Sequence, residues 1–516
     1  MSAEIRAGRR LPSGGDGAHG DLRQSSPPRI RSSRAPLLKS AAVAALCGLL
    51  LYRVAPDVKG KPFYEDEAVA GLISMRPVGE LLDTVMADRG GAPLHFLLAH
   101  AVFWIDTSAE ALRWLSVACA VAAVPLCFDL GRRLGGTAAG LVAAAVAASS
   151  TALAVYGSFG RMYALYVLVA ALAFDLFVRA ARLRTRGAVT AAAAAAWLLP
   201  AVHPYGLIPA LGELVAAIVL WRRRTLRDAL AVAIAAAAAI PFVLADLRLA
   251  NRSAVGEGGR ALATPADAWG ELVAALSSFA GGDGLVLLAA SALGILGIVV
   301  LAREEPAAAF LTVLLFVPPV LFVLVPAGSQ PDLSPRHLFY GLPLWAAAIG
   351  VGTAWLARRL PSVVDVAAVG VVCLLVLVAP PSALRDPREL GLLPTEVPAK
   401  LRGGSDELLV PYAIPYLAHL GGVREALALP QGPGDEILET LEHADEPIGA
   451  VLVALPRQHG WRVVRRRGPF DERGALSAAA EEYRTADHPP RLDWWYRLVT
   501  RGMCEAAARL GSRCPS

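Results

Sequence analysis

Three consecutive acidic residues, Glu65, Asp66 and Glu67, follow closely behind the first strongly apolar run of the chain. Neighbouring carboxylates repel one another, and this repulsion can raise the pKa of one of them until it suits proton abstraction. One of these acids is therefore a candidate general base. A solvated acidic turn explains the spacing equally well.

A second acid, Asp88, lies in the same segment, which spans about residues 56–111, within the stretch "MADRGGAPLHFLL". Gly90 and Gly91 free the backbone for a close approach, and Pro93 can begin a helix at its first turn. Asp88 could hold an acceptor or a metal ion in this setting. It could equally cap the N-terminus of a nearby helix.

Positively charged and imidazole side chains supply the complementary chemistry. Arg161 lies in "YGSFGRMYALY" and Arg336 lies in "PDLSPRHLFY". A guanidinium group can hold a phosphate through two parallel hydrogen bonds, whereas a single arginine near a membrane more often only extends towards the interface. His203, in "LPAVHPYGLIP", is a further candidate, although a lone histidine there is more often a helix-end hydrogen bonder than a catalyst.

The composition indicates the solvent in which these residues must be positioned. The 516 residues are 55% hydrophobic and 18% charged, and the mean hydropathy is +0.50. This is more apolar surface than a soluble domain can bury, so we predict a multi-pass protein of the cell membrane. Residues 1–36 are rich in Arg, Ser, Gly and Pro, and we expect a disordered basic tail that signals topology and does not bind nucleic acid.

The apolar stretches predict an all-α membrane domain over residues 37–380. A spanning helix needs about 20 mostly apolar residues, and by that measure the sequence predicts about eleven spans. They lie at about 37–55, 112–130, 137–155, 162–179, 188–203, 205–221, 229–247, 284–302, 306–325, 339–357 and 362–380. The apolar piece 92–105 is shorter, so we predict a helix at the outer interface or a re-entrant helix there.

Arginine clusters occur in alternate loops, and the loop at 303–305 is the one weak case. Under the positive-inside rule these clusters place the N-terminus in the cytoplasm and the 56–111 segment outside. The clusters are Arg132 with Arg133, the segment 179–186, the segment 221–228, and Arg358 with Arg359.

An odd number of spans places residues 381–516 on the outer side. Charge rises in this region, and short β-rich runs alternate with a helical pattern, which predicts a small extracytoplasmic α/β domain. The predicted strands are 407–414, 449–456 and 461–468, and the predicted helix is 471–486.

Cysteine usage agrees with this layout. Cys504 and Cys514 both lie in the predicted outer domain, where an oxidising compartment would permit a disulfide. Cysteine and histidine show no spacing typical of a metal site, so the sequence leaves the presence of a metal unknown.

Four stretches taken together resemble the membrane glycosyltransferases of the GT-C superfamily, and most of all the bacterial protein-mannosyltransferase-like enzymes of family 39. The stretches are the "DE" pair at Asp66 and Glu67, "PLHFLL" about 25 residues later, "LRWLSVACAVAAVPLCFDLGRRLGG" and "GRMYALYVLVAAL". The resemblance covers about residues 40–360. It implies a GT-C-like bundle with a large first outer loop.

The resemblance also implies an activity. Such an enzyme transfers a sugar, with inversion, from a polyprenyl-phosphate donor to a hydroxyl of a lipid, glycan or protein acceptor on the outer face of the membrane. Asp66 falls on the position of the catalytic base, with Glu67 beside it. No cofactor is required, and a divalent cation is left open. The residues expected to contact substrate are Asp88, His95, Arg161, Tyr163, His203, Arg336 and His337.

The chain departs from the family pattern at two places. The segment often written "HPPLYYLL" reads "GAPLHFLL" here, and Ser158 stands where an acid is usual ahead of "RMY", with Gly160 directly before Arg161. These changes leave the sugar and the acceptor open. A transporter or lipid-carrier flippase is the alternative function, and a membrane scaffold without activity is a third.

Overall fold

The structure is a computed structural model in which the chain divides into two compact units. The larger unit, Ala42–Ser516, holds the candidate site. The described residues are 34–60, 65–88, 91–106, 108–220, 234, 237–238, 240–242, 244–245, 265–324, 334–378, 407–410, 425–426, 448–457, 461–488, 490, 496–497, 500 and 503–504.

Helices form most of the first half of the described chain because it is rich in Ala and Leu and its helix starts carry capping residues. Ser108 caps the fifth helix by accepting the N–H of Ala111 at 3.1 Å. Gly136, at φ +88°, separates the fifth and sixth helices by a turn that favours glycine. The helices are α1 (Arg34–Gly60), α2 (Glu65–Met75), α3 (Val78–Asp88), α4 (Leu94–Phe103), α5 (Ala109–Gly135), α6 (Thr137–Ser149), α7 (Thr151–Gly157), α8 (Tyr163–Leu183), α9 (Arg186–Val202) and α10 (Leu207–Leu220).

The second half continues the bundle after residue 264. Two 3-10 turns matter for the site, Pro204–Gly206 ahead of α10 and Pro335–Gly341 later in the chain. The remaining helices of the bundle are α11 (Pro265–Ala280), α12 (Leu285–Glu304), α13 (Pro306–Val313), α14 (Val317–Leu324), α15 (Leu342–Ala357) and α16 (Ser362–Val378).

Five of the described helices are long and apolar enough to cross a membrane, and six if α6 and α7, bent by 51° at Ser150, form one span. Five shorter apolar helices accompany them. A multi-pass membrane protein is thus supported, whereas the predicted number of eleven spans is not confirmed. The predicted span at 229–247 lies largely outside the described residues. The short piece 92–105 contains α4, a helix of 10 residues.

Two contacts fix the direction of α5 and α8. Near their starts, Ser116 Oγ donates to the carbonyl oxygen of Arg161 at 3.3 Å, and further along Arg133, near the end of α5, pairs with Asp175 in the second half of α8. The two helices are therefore parallel. From Ser116 to Arg133 the helix rises about 25 Å at 1.5 Å per residue, which is close to the thickness of a membrane interior.

We call the two ends of this bundle the site end, at Ser116 and Arg161, and the basic end, at Arg133. At the basic end, Arg182 donates to Glu305 Oε1 at 2.7 Å and joins the end of α8 to the end of α12. The loop at 303–305, the weakest of the predicted inner loops, thus lies at the same end as the 179–186 cluster. Which membrane face this end occupies stays a prediction.

Four strands form one sheet in the order β2-β1-β3-β4, with β1 parallel to both of its neighbours and β3 antiparallel to β4. The strands match the three predicted runs and add one. They are β1 (Glu407–Val410), β2 (Glu425–Ala426), β3 (Ile448–Pro456) and β4 (Trp461–Phe470), and α17 (Glu472–Thr485) follows them. Cys504 is disulfide-bonded, while Cys514 lies outside the described residues.

Candidate functional site

A buried ion pair organises the start of α2. Glu67 is fully buried, and Arg113 of α5 donates to it from Nε to Oε1 at 2.8 Å and from Nη2 to Oε2 at 2.7 Å. A third guanidinium nitrogen of Arg113 bonds the carbonyl oxygen of Val58 at 2.9 Å. Removing one partner of such a pair would leave a buried charge without its counter-ion. Glu67 therefore couples α2 to the end of α1 and the start of α5.

The same carboxylate also holds the turn ahead of α8. Oε1 of Glu67 accepts the backbone N–H of Gly160 at 2.7 Å. A Cβ added at Gly160 would lie 2.9 Å from Leu112 Cγ and 3.2 Å from Glu67 Oε1, so only glycine fits without a shift. Ser116 of α5 donates to the carbonyl oxygen of Arg161, the residue after Gly160. The backbone at Gly160 and Arg161 is therefore held by α2 through Glu67 and by α5 through Ser116.

Arg161 and Arg336 lie near the same group of rings, although 174 positions separate them in the sequence. Both guanidinium groups lower the pKa of His203, and Arg161 also lowers that of His95. The guanidinium carbon of Arg336 stands 5.8 Å from the centre of the Tyr163 ring, a cation–π distance. The two cations therefore converge at the site end of the bundle.

Four rings form a layered cluster beside these arginines. His203 stacks on Tyr166 with centroids 4.9 Å apart and an interplanar angle of 9°. His337 stacks on Tyr205 at 4.6 Å and 16°, and the two imidazole centroids are 5.5 Å apart. The cluster joins α8, the turn before α10 and the 3-10 helix before α15, so it brings three distant parts of the chain to one place.

Burial keeps two of the histidines neutral. His95, on α4, has a pKa lowered to about 3, first by burial and then by Arg161, against a smaller opposing effect of the Gly160 backbone. His203 has a pKa lowered to about 3, first by burial and then by Arg336 and Arg161. Neither ring serves as a proton carrier near pH 7. Both can act as neutral hydrogen-bonding groups.

Most of the predicted site residues that the structure describes fall into one cluster. Asp66 is in the first turn of α2, next to Glu67, and its side chain lies outside the described residues. Asp88 is the last residue of α3 and does not cap α4, whose N-cap is Pro93. The Asp88 side chain also lies outside the described residues. The residues brought together are Glu67, His95, Arg161, Tyr163, His203, Arg336 and His337.

Arg113, Ser116 and Tyr166 belong to the site but were not predicted from the sequence. A signal for Arg113 was present, because it is a lone charge at the start of an apolar span, and such charges usually have a partner. Ser116 and Tyr166 carry no comparable signal, since hydroxyl groups are frequent in membrane helices. Their role follows only from how α5 and α8 pack.

The arrangement suits an anion better than a cation. Two guanidinium groups and the donor groups of neutral rings converge there, and the one described carboxylate, that of Glu67, is already bonded by Arg113 and Gly160. Among the described residues, no group of three or more His, Cys, Asp or Glu side chains could hold a metal ion.

Comparisons with known proteins establish the fold. No family model matches the sequence, and no curated protein matches it. Among solved structures, ArnT from Cupriavidus metallidurans bound to undecaprenyl phosphate superimposes with a TM-score of 0.53 at 14% identity, over 84% of this chain and 98% of that one. The apo oligosaccharyltransferase of Archaeoglobus fulgidus superimposes with a TM-score of 0.48 at 12% sequence identity, over 78% of this chain and 66% of that one. A TM-score this low supports no conclusion about this protein. The similarity shows that this chain has the fold of the ArnT structure, in agreement with the membrane-helix bundle that the resemblance implied.

Proposed function

We propose that this protein transfers a sugar from a polyprenyl-phosphate-linked donor to an acceptor hydroxyl at the non-cytoplasmic face of the cell membrane. The observation that supports this most is the convergence of Arg161 and Arg336 beside the acidic start of α2, at one end of the bundle. A lipid-borne phosphate and a water-soluble group can meet at such a place. The ArnT structure, which has the same fold, was determined with undecaprenyl phosphate bound.

The reaction needs few groups from the protein. An acceptor oxygen attacks the anomeric carbon as its proton passes to a carboxylate, while the bond from that carbon to the phosphate oxygen breaks. The products are an inverted glycoside and the polyprenyl phosphate. Phosphate leaves without being protonated, so a base for the acceptor and cations for the leaving group are sufficient.

The residues take distinct roles in this scheme. Asp66 is the general base, and Arg161 and Arg336 bind the phosphate. Glu67 acts as a positioning residue, because its carboxylate is engaged by Arg113 and by the N–H of Gly160.

The remaining site residues complete the pocket in this proposal. Tyr163 supports Arg336 through its ring face, and His95, His203 and His337 shape the polar wall around the substrate. Asp88 is proposed to contact the acceptor.

Charge asymmetry supports the proposed orientation. The basic end carries Arg132, Arg133 and Arg182, and it lies about 25 Å of helix rise from the site end. Under the positive-inside rule the basic end faces the cytoplasm, so the site end faces outward. In this proposal residues 1–36 form a cytoplasmic tail, 37–380 the transferase domain, and 381–516 an extracytoplasmic domain.

The test is donor consumption. Purified protein in lipid nanodiscs is incubated with a panel of radiolabelled polyprenyl-phosphate hexoses and pentoses, with and without EDTA, and release of polyprenyl phosphate is followed. We expect one donor to be consumed, and Asp66→Asn to slow turnover by about 10² or more while expression is unchanged. Asp83→Asn, at an exposed acid on α3, is the matched control.

Two outcomes would contradict the proposal. Turnover of Asp66→Asn at the wild-type rate would remove Asp66 from its role. Failure with every donor, combined with movement of a lipid-linked sugar across proteoliposome membranes, would favour the transporter or flippase instead.

A further inference from the structure

Two histidines of the ring cluster share one tautomer. Nδ1 of His203 accepts the backbone N–H of Tyr205 at 3.2 Å, and Nδ1 of His337 accepts the backbone N–H of Ser334 at 3.3 Å. A neutral imidazole that accepts at Nδ1 carries its proton at Nε2. Both rings therefore present an Nε2–H donor.

Histidines elsewhere in the described chain have the opposite arrangement. Nδ1 of His100 faces the carbonyl oxygen of Ser74 at 2.8 Å, and Nδ1 of His488 faces that of Ala486 at 2.9 Å. A carbonyl oxygen only accepts, so Nδ1 must donate in both, which leaves Nε2 as an acceptor. The Nε2–H form of His203 and His337 is thus a local feature of the ring cluster.

Packing fixes the orientation of these donors. His203 is stacked on Tyr166 and His337 on Tyr205, and each Nδ1 is held by the backbone of its own turn. Flipping either ring would replace the accepting Nδ1 with a carbon, Cδ2, opposite the backbone N–H, and that hydrogen bond would be lost. The rings therefore keep their Nε2–H groups in place without help from a ligand.

The charges around the pair show what such donors could bind. Arg336 precedes His337 directly, and Arg336 and Arg161 both lie close enough to His203 to lower its pKa. The pKa of about 3 keeps His203 uncharged across the physiological range, so it contributes a fixed dipole. A group rich in acceptor oxygens and carrying negative charge is the complementary ligand.

We propose that the Nε2–H groups of His203 and His337 donate hydrogen bonds to the phosphoryl oxygens of the bound substrate, alongside the guanidinium groups of Arg161 and Arg336. This inference rests on the proposed function and assigns these residues within its site. A phosphodiester becomes a phosphomonoester as the sugar departs, so negative charge on these oxygens increases. Fixed donors aimed at developing charge stabilise the transition state as well as the bound lipid.

Asparagine and glutamine variants separate this role from a structural one. The amide of Asn reaches the position of Nδ1, so His203→Asn and His337→Asn keep an acceptor for the backbone N–H and lose the Nε2–H donor. The amide of Gln reaches the position of Nε2, so His203→Gln and His337→Gln keep a donor and lose the backbone contact. If the histidines only stabilised their turns, the Gln variants would be the damaged ones.

The experiment measures binding of undecaprenyl phosphate to full-length protein in nanodiscs, together with thermal unfolding. We expect each Asn variant to bind about 10- to 100-fold more weakly, because a hydrogen bond to a charged group is lost. We expect each Gln variant to stay within a few-fold of wild type. His100→Asn, at a ring of the opposite tautomer, should change nothing.

Three further arms identify the ligand and keep the outcomes distinct. Undecaprenol, which lacks the phosphate, should not compete, and inorganic phosphate should compete only at much higher concentration if the lipid is the natural carrier. Inorganic phosphate competing as well as the lipid would indicate a soluble phosphate ligand. ¹⁵N spectra of labelled histidine should report protonated Nε2 at positions 203 and 337.

The inference fails if the Asn variants bind as wild type, or if the Gln variants lose as much affinity as the Asn variants. It also fails if undecaprenyl phosphate does not bind the wild-type protein. Binding with the expected variant pattern, but without consumption of any sugar donor, would retain this phosphate site and reject the transferase proposal.

Discussion

Variants of Glu67 can distinguish a residue that positions the site from one that acts as a general base. Its carboxylate accepts three hydrogen bonds, two from the Arg113 guanidinium and one from Gly160, and both charged side chains are buried. Breaking a buried pair by removing one partner typically costs about 3–5 kcal/mol. We therefore expect Glu67→Ala to lower the free energy of unfolding by about that amount.

Replacing Glu67 with its neutral analogue, glutamine, should also lower the free energy of unfolding. In Glu67→Gln a side-chain oxygen at the Oε1 position can keep two of the three hydrogen bonds, those from Arg113 Nε and from the Gly160 N–H, while the amide nitrogen opposes the Nη2 donor of Arg113 and the buried guanidinium loses its counter-ion. We expect a loss of stability close to that of Glu67→Ala. A general base would behave differently, because its conversion to an amide would slow turnover by about 10² or more and leave the unfolding transition in place.

A double variant completes the experiment. Glu67→Met combined with Arg113→Met removes both charges at similar volume, an exchange that is often neutral for stability. We expect stability to return to within about 1–2 kcal/mol of wild type. Turnover should stay about 10-fold or more below wild type, because the Gly160 N–H has lost its acceptor. We expect the following residue, Arg161, to shift as a result, and a small displacement of a substrate-binding group lowers the rate.

The assay pairs thermal and denaturant unfolding in nanodiscs with donor consumption by the same preparations. Wild-type stability of Glu67→Ala would refute the energetic role of the ion pair. Full turnover of the double methionine variant would refute the positioning of Arg161 through Gly160.

Three further predictions follow from contacts in and around the site. Gly160→Ala should lower turnover at least 10-fold in activity assays, because the added Cβ would meet the side chains of Leu112 and Glu67. Gly187→Ala is the control and should leave turnover unchanged, because a Cβ added there has nothing within 4 Å. Burial lowers the pKa values of His95 and His203 to about 3, so the unfolded chain binds more protons than the folded chain below about pH 6.5. Each of the two histidines should lower the free energy of unfolding by about 1.4 kcal/mol per pH unit there, so His203→Gln should remove about half of their combined effect, as unfolding at pH 7.5 and 5.5 would show. Arg182→Ala, which breaks a partly exposed pair at the basic end, should change stability by less than about 1 kcal/mol and leave turnover unchanged.

Apolar periodicity predicted much of the helical bundle because a membrane helix must satisfy its own backbone and present apolar side chains to lipid. The spans at 112–130 and 339–357 coincide with α5 and α15. The break at Ser150 was not predicted. There α6 ends and α7 begins with a 51° bend, and Ser150 Oγ donates to the carbonyl oxygen of Ser278, a partner 128 positions away.

The candidate site was predicted residue by residue, with its acids and arginines expected at one end of the bundle, but the contacts within it were not predicted. The family resemblance identified Arg161 and Arg336, yet their common proximity to His203 depends on three helix ends meeting. The bonding of Glu67 by Arg113 could not be predicted from spacing, because 46 positions separate them and only packing of α2 against α5 brings them together. The tautomers of the two stacked histidines likewise depend on local turns.

The central claim is that the guanidinium groups at positions 161 and 336 bind one phosphate, and a structure of the protein with undecaprenyl phosphate in a nanodisc tests it most directly. We expect the phosphorus at the site end, with oxygens within hydrogen-bonding distance of both arginines and the isoprenoid chain running between helices towards lipid. A phosphate bound at the basic end beside Arg133 and Arg182, or one that contacts neither Arg161 nor Arg336, would contradict the account.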